Sequence, residues 1–405
     1  MTISPPTTPD PTLLRVPLVA ILGLALGLGW AAAAHAQSQA PDPHMEKAKR
    51  VLAQSPLFDG HNDLPWAIRN YAPAPMDVAA YDISQVIDDD RMYGHTDIPR
   101  LREGMVGAQW WSVYVPGDAE HPARFQLEQI DLALEIFDRY PEHFELATTA
   151  DEVMRSFRAG KVASLMGMEG GHAIENSLGA LRAFHALGVR YMTLTHNVDL
   201  DWADAHADGH RNGGLTEFGR EVVREMNWMG MLVDLSHTSD ATTSQAIDVS
   251  EAPVIFSHSS ARGVTNHTRN VPDSILARLP ANGGLIMITF VPSFITDETP
   301  ATMEDVIAHI EHARDVAGVD HVGIGGDFDG ITTVPVGLED VSTYPALFAE
   351  LSRRGWSEED LRKLAGDNML RVLRDAEMTA RRLQRERGPS KATIEELDGG
   401  GGGGG

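Results

Sequence analysis

The chain has 405 residues, a formal charge of −25 and 42% hydrophobic residues. That length holds one large α/β domain or two ordinary ones, and the acidic balance argues against a nucleic-acid partner, because phosphates are repelled. Cysteine is absent, which excludes disulfides, thiolate metal sites and a cysteine nucleophile. Any metal must therefore be held by His, Asp and Glu.

Residues 1–36 read as a secretory signal: Arg15 precedes an apolar run from Val16 to Ala34, and Ala34-His35-Ala36 is a small-x-small cleavage pattern. No later stretch is long and apolar enough to span a bilayer. The expectation is an exported protein, periplasmic or secreted, without a stable membrane anchor. Residues 37–45 read as a polar linker and 46–54 as a first helix. Leu57 and Phe58 then form the apolar end of a strand that runs into Asp59-Gly60-His61-Asn62-Asp63. His61 and Asp63 are two apart, so on an extended segment both leave the same face, and an imidazole beside a carboxylate suits a zinc-like ion. Gly60 lets the backbone approach a neighbour closely.

After a loop-rich segment over 64–107, which carries Asp88-Asp89-Asp90, a second apolar run covers 108–115, with helical spacing over 125–138. The pattern repeats. Val162–Met168 ends in Glu169, and a helix over 177–187 follows. Val189–Leu194 ends in Thr195-His196-Asn197, with a polar loop over 199–214 and a helix over 216–228. Met231–Leu235 ends in Ser236-His237, with a helix over 240–248. Pro253–Phe256 ends in Ser257-His258. Gly284–Phe290 precedes a helix over 302–316. His321–Gly326 ends in Asp327-Phe328-Asp329-Gly330, and helices over 345–354 and 357–375 follow. Eight apolar runs, most of them separated by helices, predict a parallel sheet buried on both faces, closed as a TIM-like (β/α)8 barrel within a domain spanning 46–378. The charged and glycine-rich stretch 379–405 reads as a disordered tail.

In such a barrel the strand ends share one mouth. Here they carry His61, Asp63, Glu169, His196, His237, His258 and Asp327. Singly, each reads as a loop residue that caps or hydrogen-bonds; together they predict a metal site. One ion needs about three protein ligands plus water, so five or more ligands predict two ions with a carboxylate between them. Such a pair turns a shared water into hydroxide near neutral pH and clamps a carbonyl, which is chemistry for hydrolysing an amide.

These segments, with Trp202-Ala203-Asp204, resemble the membrane (renal) dipeptidase family of zinc peptidases over residues 46–375. The resemblance implies a dinuclear zinc dipeptidase. His61 and Asp63 would hold one Zn2+, His237 and His258 the other, and Glu169 would bridge them. His196 matches the residue that polarises the substrate oxygen. Arg269, in Thr268-Arg269-Asn270, matches the residue that grips the substrate, and Asp327 matches the acid/base beside the bridging water. A planar guanidinium suits a dipeptide's terminal carboxylate. Vertebrate members are disulfide-linked and lipid-anchored. This chain has no cysteine and no apolar C-terminal tail, so any homodimer is expected to be non-covalent.

Four other readings compete. Another barrel metallohydrolase, a cyclic-amide hydrolase or deaminase, usually starts with His-x-His and often has a lysine-borne bridge, where this chain has His-x-Asp and Glu169. A metal-binding protein without catalysis has no use for Asp327. Gly323-Ile324-Gly325-Gly326 lacks dinucleotide-loop spacing, and Asp327–Gly330 lacks the distant Glu of a calcium loop. His206 and His210, four apart in a polar loop, read as solvated. His172 reads as structural, and Trp66 as a pocket wall or core residue. The loops 67–107 and 199–214 are expected to choose among dipeptides.

Overall fold

The computed structural model describes residues 41–87 and 94–399. The expected signal over 1–36 and Asp88-Asp89-Asp90 lie outside the described residues. Nine parallel strands follow in chain order: β1 (Leu57–Asn62), β2 (Val106–Tyr114), β3 (Phe144–Leu146), β4 (Val162–Glu169), β5 (Val189–Thr193), β6 (Leu232–Asp234), β7 (Val254–Ser259), β8 (Leu285–Ile288) and β9 (Val322–Ile324). β1 pairs with β2 and with β9, β2 pairs with β4, and the remaining strands pair in sequence order. All strands but β3 thus close the eight-stranded barrel that the apolar runs predict.

β3 is the exception to the eight-run partition. It pairs with Val162, Ala163 and Ser164, the part of β4 that β5 does not reach, since β5 pairs from Met166 onward. Three residues carry too little alternation to register as a strand in sequence. Three helices longer than four residues were also hidden: Leu64–Tyr71 and Ile98–Glu103 in the segment read as loop, and Ala150–Arg158, whose Thr149 cap accepts the Glu152 N–H at 3.2 Å.

The barrel interior is plugged below its mouth by Phe58, Trp110, Leu165, Tyr191, Leu232, Ile255, Leu285 and Met287, all buried. The Phe58 and Trp110 rings stack at 5.9 Å, and Trp110 meets Tyr191 at 4.8 Å. Gly167 is what admits Tyr191: a Cβ there would lie inside the tyrosine ring. At Gly60 a Cβ would fall 2.3 Å from the Ser257 carbonyl, so the close approach expected there is to β7.

Two boundaries are corrected. The first helix begins at Pro43, inside the expected linker. The tail is ordered through Gly399. The final long helix, Asn368–Glu386, buries Met369, Leu370, Val372, Leu373, Ala376, Ala380 and Leu383, an apolar stripe that continues under Arg381, Arg382 and Arg385. Beyond it, the Arg387 carbonyl accepts from Trp228 Nε1 at 2.9 Å, and Asp398 accepts from Thr216 Oγ1 at 2.7 Å and the Phe218 N–H at 3.2 Å. Among the described residues no helix is long and apolar enough to cross a membrane.

Candidate metal centre

Every candidate stands at or just after the C-terminal end of a barrel strand. Glu169 ends β4 and His258 lies in β7. His196, His237 and Asp327 each follow three residues beyond β5, β6 and β9. Asp63 is not extended: β1 stops at Asn62, and Asp63 opens the next helix with its carbonyl accepting the Ala67 N–H at 2.9 Å. Its carboxylate still meets His61, Oδ2 to Nε2, at 3.2 Å.

Glu169 stands at the centre. Oε2 faces His61 Nε2 at 3.4 Å, while Oε1 faces His237 Nε2 at 3.2 Å, His258 Nε2 at 3.3 Å and His196 Nε2 at 3.8 Å. Its two oxygens therefore address two groups of imidazoles. Donor atoms of His61, Glu169 and His258, of Glu169, His196 and His237, and of His61, Asp63 and Asp327 each lie within 4.8 Å of one another.

The outer nitrogens decide which inner nitrogens are bare. Ser257 Oγ donates to Asp234 Oδ2 at 2.6 Å, so it accepts from His258 Nδ1 at 2.8 Å. Asn197 Oδ1 accepts from His237 Nδ1 at 3.0 Å. The Tyr191 hydroxyl donates to the Gly60 carbonyl at 3.4 Å and accepts from His61 Nδ1 at 2.9 Å. With their protons outside, His237 and His258 turn lone pairs inward, and His61 directs its Nε2 the same way. His237 Nε2 and His258 Nε2 are then two buried acceptors 2.9 Å apart, an arrangement that needs a cation. Ligand atoms about 2.0–2.1 Å from a tetrahedral zinc stand roughly 3.3 Å apart. The spacings of 2.9, 3.2 and 3.3 Å among His237, His258 and Glu169 fit that frame.

Electrostatics agree for His237 and His258 and differ for His61: burial lowers the His61 pKa, but Tyr191, Glu169 and Asp63 together raise it well above the ordinary imidazole value, so His61 gives up a proton when it takes a cation. Burial raises the Glu169 pKa, but His61, His237 and His258 together hold it well below the usual carboxylate range. Burial holds His237 and His258 well below ordinary imidazole values, in the neutral form a ligand needs. Asp327 is pushed well above its ordinary value by burial; Asp63 and Glu169 add to the rise, and His61 and Arg269 oppose it. Its side chain has no hydrogen-bond partner among the described residues. Both Asp327 and His237 adopt left-handed backbone, with φ of 65° and 67°, at about 1–2 kcal/mol each. Hydrogen bonds offset that strain, at about 1 kcal/mol apiece: Asp327 N–H to the His61 carbonyl at 3.1 Å, and the His237 carbonyl from the His206 N–H at 2.8 Å and Thr195 Oγ1 at 3.2 Å.

A cavity of about 380 Å³ opens over this cluster, walled by Trp66, Tyr114, Val291, Phe294 and Ile331 and reached by Arg269. Trp66 is thus a wall, edge-on to Tyr114 at 4.9 Å. Arg269 is buried; its Nη1 donates to Ser259 Oγ at 3.2 Å and its Nη2 to the His258 carbonyl at 3.1 Å, while Nε has no partner. Burial lowers its pKa to about 10, against the pull of Asp327 and Glu169, so it stays charged. A more apolar cavity of about 250 Å³ borders Val106 and Val162, at the opposite strand ends, and lacks any carboxylate lining.

The structure also corrects two expectations. The described residues of 67–107 and 199–214 do not line the cavity; Val291, Phe294, Gly330 and Ile331 do. His206 is half-buried rather than fully solvated: it lies between Asn197 and Thr268, and burial with Arg269 nearby lowers its pKa to about 3. His210 is exposed, as expected. His172 bonds the Pro116 carbonyl at 3.0 Å and lies outside the donor groups. Residues that support the ligands were not singled out in sequence: Tyr191, Asn197, Ser257 and Asp59. Asp59 accepts from the Gly326 N–H and the Tyr344 hydroxyl, each at 2.8 Å, tying β1 to the segment that carries Asp327. Polar residues recurring at apolar strand ends were the available signal.

The family model described as membrane dipeptidase (peptidase family M19) matches residues 45–387. The chain belongs to that family. It is a metallo-dipeptidase, and the donor cluster fits its dependence on metal. Among solved structures, the chain is 32% identical to the dipeptidase AC, a metallo peptidase of family M19, over 80% of this chain and 98% of that one, with a TM-score of 0.70. It is 31% identical, over 80% and 99%, to a metallo peptidase from Rhodobacter sphaeroides liganded with a phosphinate mimic of the dipeptide L-Ala-D-Ala, with a TM-score of 0.71. The probable dipeptidase PvdM from Pseudomonas aeruginosa shares the fold at 21% identity, over 84% and 100%, with a TM-score of 0.75.

Proposed function

We propose that this M19 dipeptidase hydrolyses dipeptides with two zinc ions bridged by Glu169. The observation that carries the reading is the division of the Glu169 oxygens, Oε2 toward His61 and Oε1 toward His237 and His258. His61 and Asp63 would hold one ion, and His237 and His258 the other. When bound, the ions supply a nucleophilic oxygen from water near neutral pH and draw charge from the substrate carbonyl.

The chain's own residues do the rest. Arg269 meets the substrate's terminal carboxylate, and its unpaired buried Nε–H supports that role. His196, beside Glu169 and over the cavity, donates to the substrate oxygen as charge develops there. Asp327 takes a proton on its carboxylate from the attacking water as the C–O bond forms. It returns that proton to the amine nitrogen as the C–N bond breaks. Trp66, Tyr114 and Phe294 exclude water around the scissile bond.

Metal analysis of purified protein beside turnover of L,L and L,D dipeptides, L-Ala-D-Ala among them, tests this. Zinc-dependent cleavage is expected. Cleavage that survives complete metal removal overturns it. We propose also that the chain is exported, supported by Arg15, the apolar run and Ala34-His35-Ala36. N-terminal sequencing of protein from its host should begin at Gln37; an intact Met1 on membrane-bound protein overturns it.

A further inference from the structure

We propose that His206 is a positioning residue for His237, acting through the side-chain amide of Asn197. This rests on the reading of His237 as a metal ligand.

Asn197 Oδ1 lies 3.0 Å from His237 Nδ1 and 3.1 Å from His206 Nε2. An amide oxygen only accepts, so both ring nitrogens carry hydrogen. His206 Nδ1 is then bare and accepts from Thr268 Oγ1 at 3.1 Å. One amide oxygen thus receives two N–H groups. Turning the amide over would set its NH2 against both donors. The Asn197 NH2 has no hydrogen-bond partner among the described residues, and Asn197 itself is exposed. His206 is accordingly the second restraint on which way this amide points.

That direction matters for His237. With oxygen facing it, His237 keeps its proton on Nδ1 and presents a bare Nε2 to Glu169 at 3.2 Å. With NH2 facing it, the proton moves to Nε2, and that nitrogen can no longer bind a cation. The backbone reinforces the arrangement. The His206 N–H donates to the His237 carbonyl at 2.8 Å, and Ala205 bridges Thr238. His206 therefore addresses His237 twice, through main chain and through side chain. Its contact with Thr268 also joins this loop to the segment that carries Arg269.

A double-mutant cycle on the full chain tests this, with zinc affinity read by competition against a chromophoric chelator. His206→Phe fills the space without a donor and should weaken one of the ions about 10–100-fold. His206→Gln restores an N–H toward Asn197 and should stay within about threefold of the parent. Asn197→Asp presents oxygen whichever way it turns, so adding H206F to N197D should cost less than about threefold. Melting of the metal-free proteins checks folding; if H206F does not fold, the H206Q result decides, and a tenfold loss there overturns the proposal. So does an unchanged affinity in H206F, or an equal loss in the parent and N197D backgrounds. His237→Ala is the control. If it keeps both ions at parental affinity, the ligand assignment fails rather than the role of His206.

Discussion

His237 Nε2 and His258 Nε2 lie 2.9 Å apart, and neither carries a proton, because each ring's hydrogen is committed on Nδ1 to an oxygen behind it. Two buried lone pairs facing one another are stable only around a cation. The native state should therefore depend on metal for part of its stability. A ligand at a thousand times its dissociation constant adds about 4 kcal/mol, or roughly 5 °C in Tm for a chain of this size. Scanning calorimetry before and after chelation should show that loss, with zinc restoring it. An unchanged Tm contradicts it.

Asp327 and Glu169 should separate in their effects. Asp327→Asn keeps the shape but cannot accept a proton, so kcat should fall about 10²–10⁴-fold with metal content near wild type. Glu169→Gln removes the charge that both imidazole groups face, and should lose metal and activity together. Zinc content and turnover on both variants check the assignment. Metal loss in D327N with both ions retained in E169Q reverses the two roles.

Arg269 is proposed to read the substrate's free carboxylate. Its Nη atoms are already held by Ser259 and the His258 carbonyl, so Arg269→Met removes a pre-set charge. Truncating one partner of a buried charged pair costs about 2–5 kcal/mol, so kcat/KM for a free dipeptide should fall roughly 30-fold or more. The matching dipeptide amide, which lacks the carboxylate, should change less than about threefold. Equal losses on acid and amide place Arg269 elsewhere.

His309 supplies a pH-dependent strut. Its Nδ1 accepts the Ala261 N–H at 3.0 Å and its Nε2 donates to the Ile295 carbonyl at 2.9 Å. Burial, chiefly, lowers its pKa to about 4. Because the folded value lies below the unfolded one, the unfolded chain binds the proton first. The contribution is full above pH 6.5 and is lost as pH falls toward 4, by roughly 3 kcal/mol in all. Denaturant melts of chelated protein should show a shallower fall over that window in His309→Gln than in wild type. Parallel curves contradict it.

Much of this was legible in the chain. Strand ends that finish in Glu169, His196, His237 and His258 announce a shared mouth, because a parallel barrel sends every strand end the same way. The supporting residues were less legible, since nothing in the spacing of Tyr191 or Asn197 says that each lies behind a ligand found elsewhere in the sequence. Tyr191 reaches His61 across 130 positions, through a space that Gly167 leaves open. His206 looked solvated because its neighbours are polar; tertiary contact with Thr268 and Asn197 overrides that composition. Residues 379–386 are helical rather than disordered because Ala376, Ala380 and Leu383 extend one buried stripe beneath arginines that dominate the local charge.

The central claim is that Glu169 holds two ions at once. Zinc per chain, measured by elemental analysis on gently purified and catalytically active protein, addresses it most directly. Two zinc ions per chain are expected, falling to one or none in E169Q. A reproducible single ion in fully active wild-type protein would contradict the bridging role.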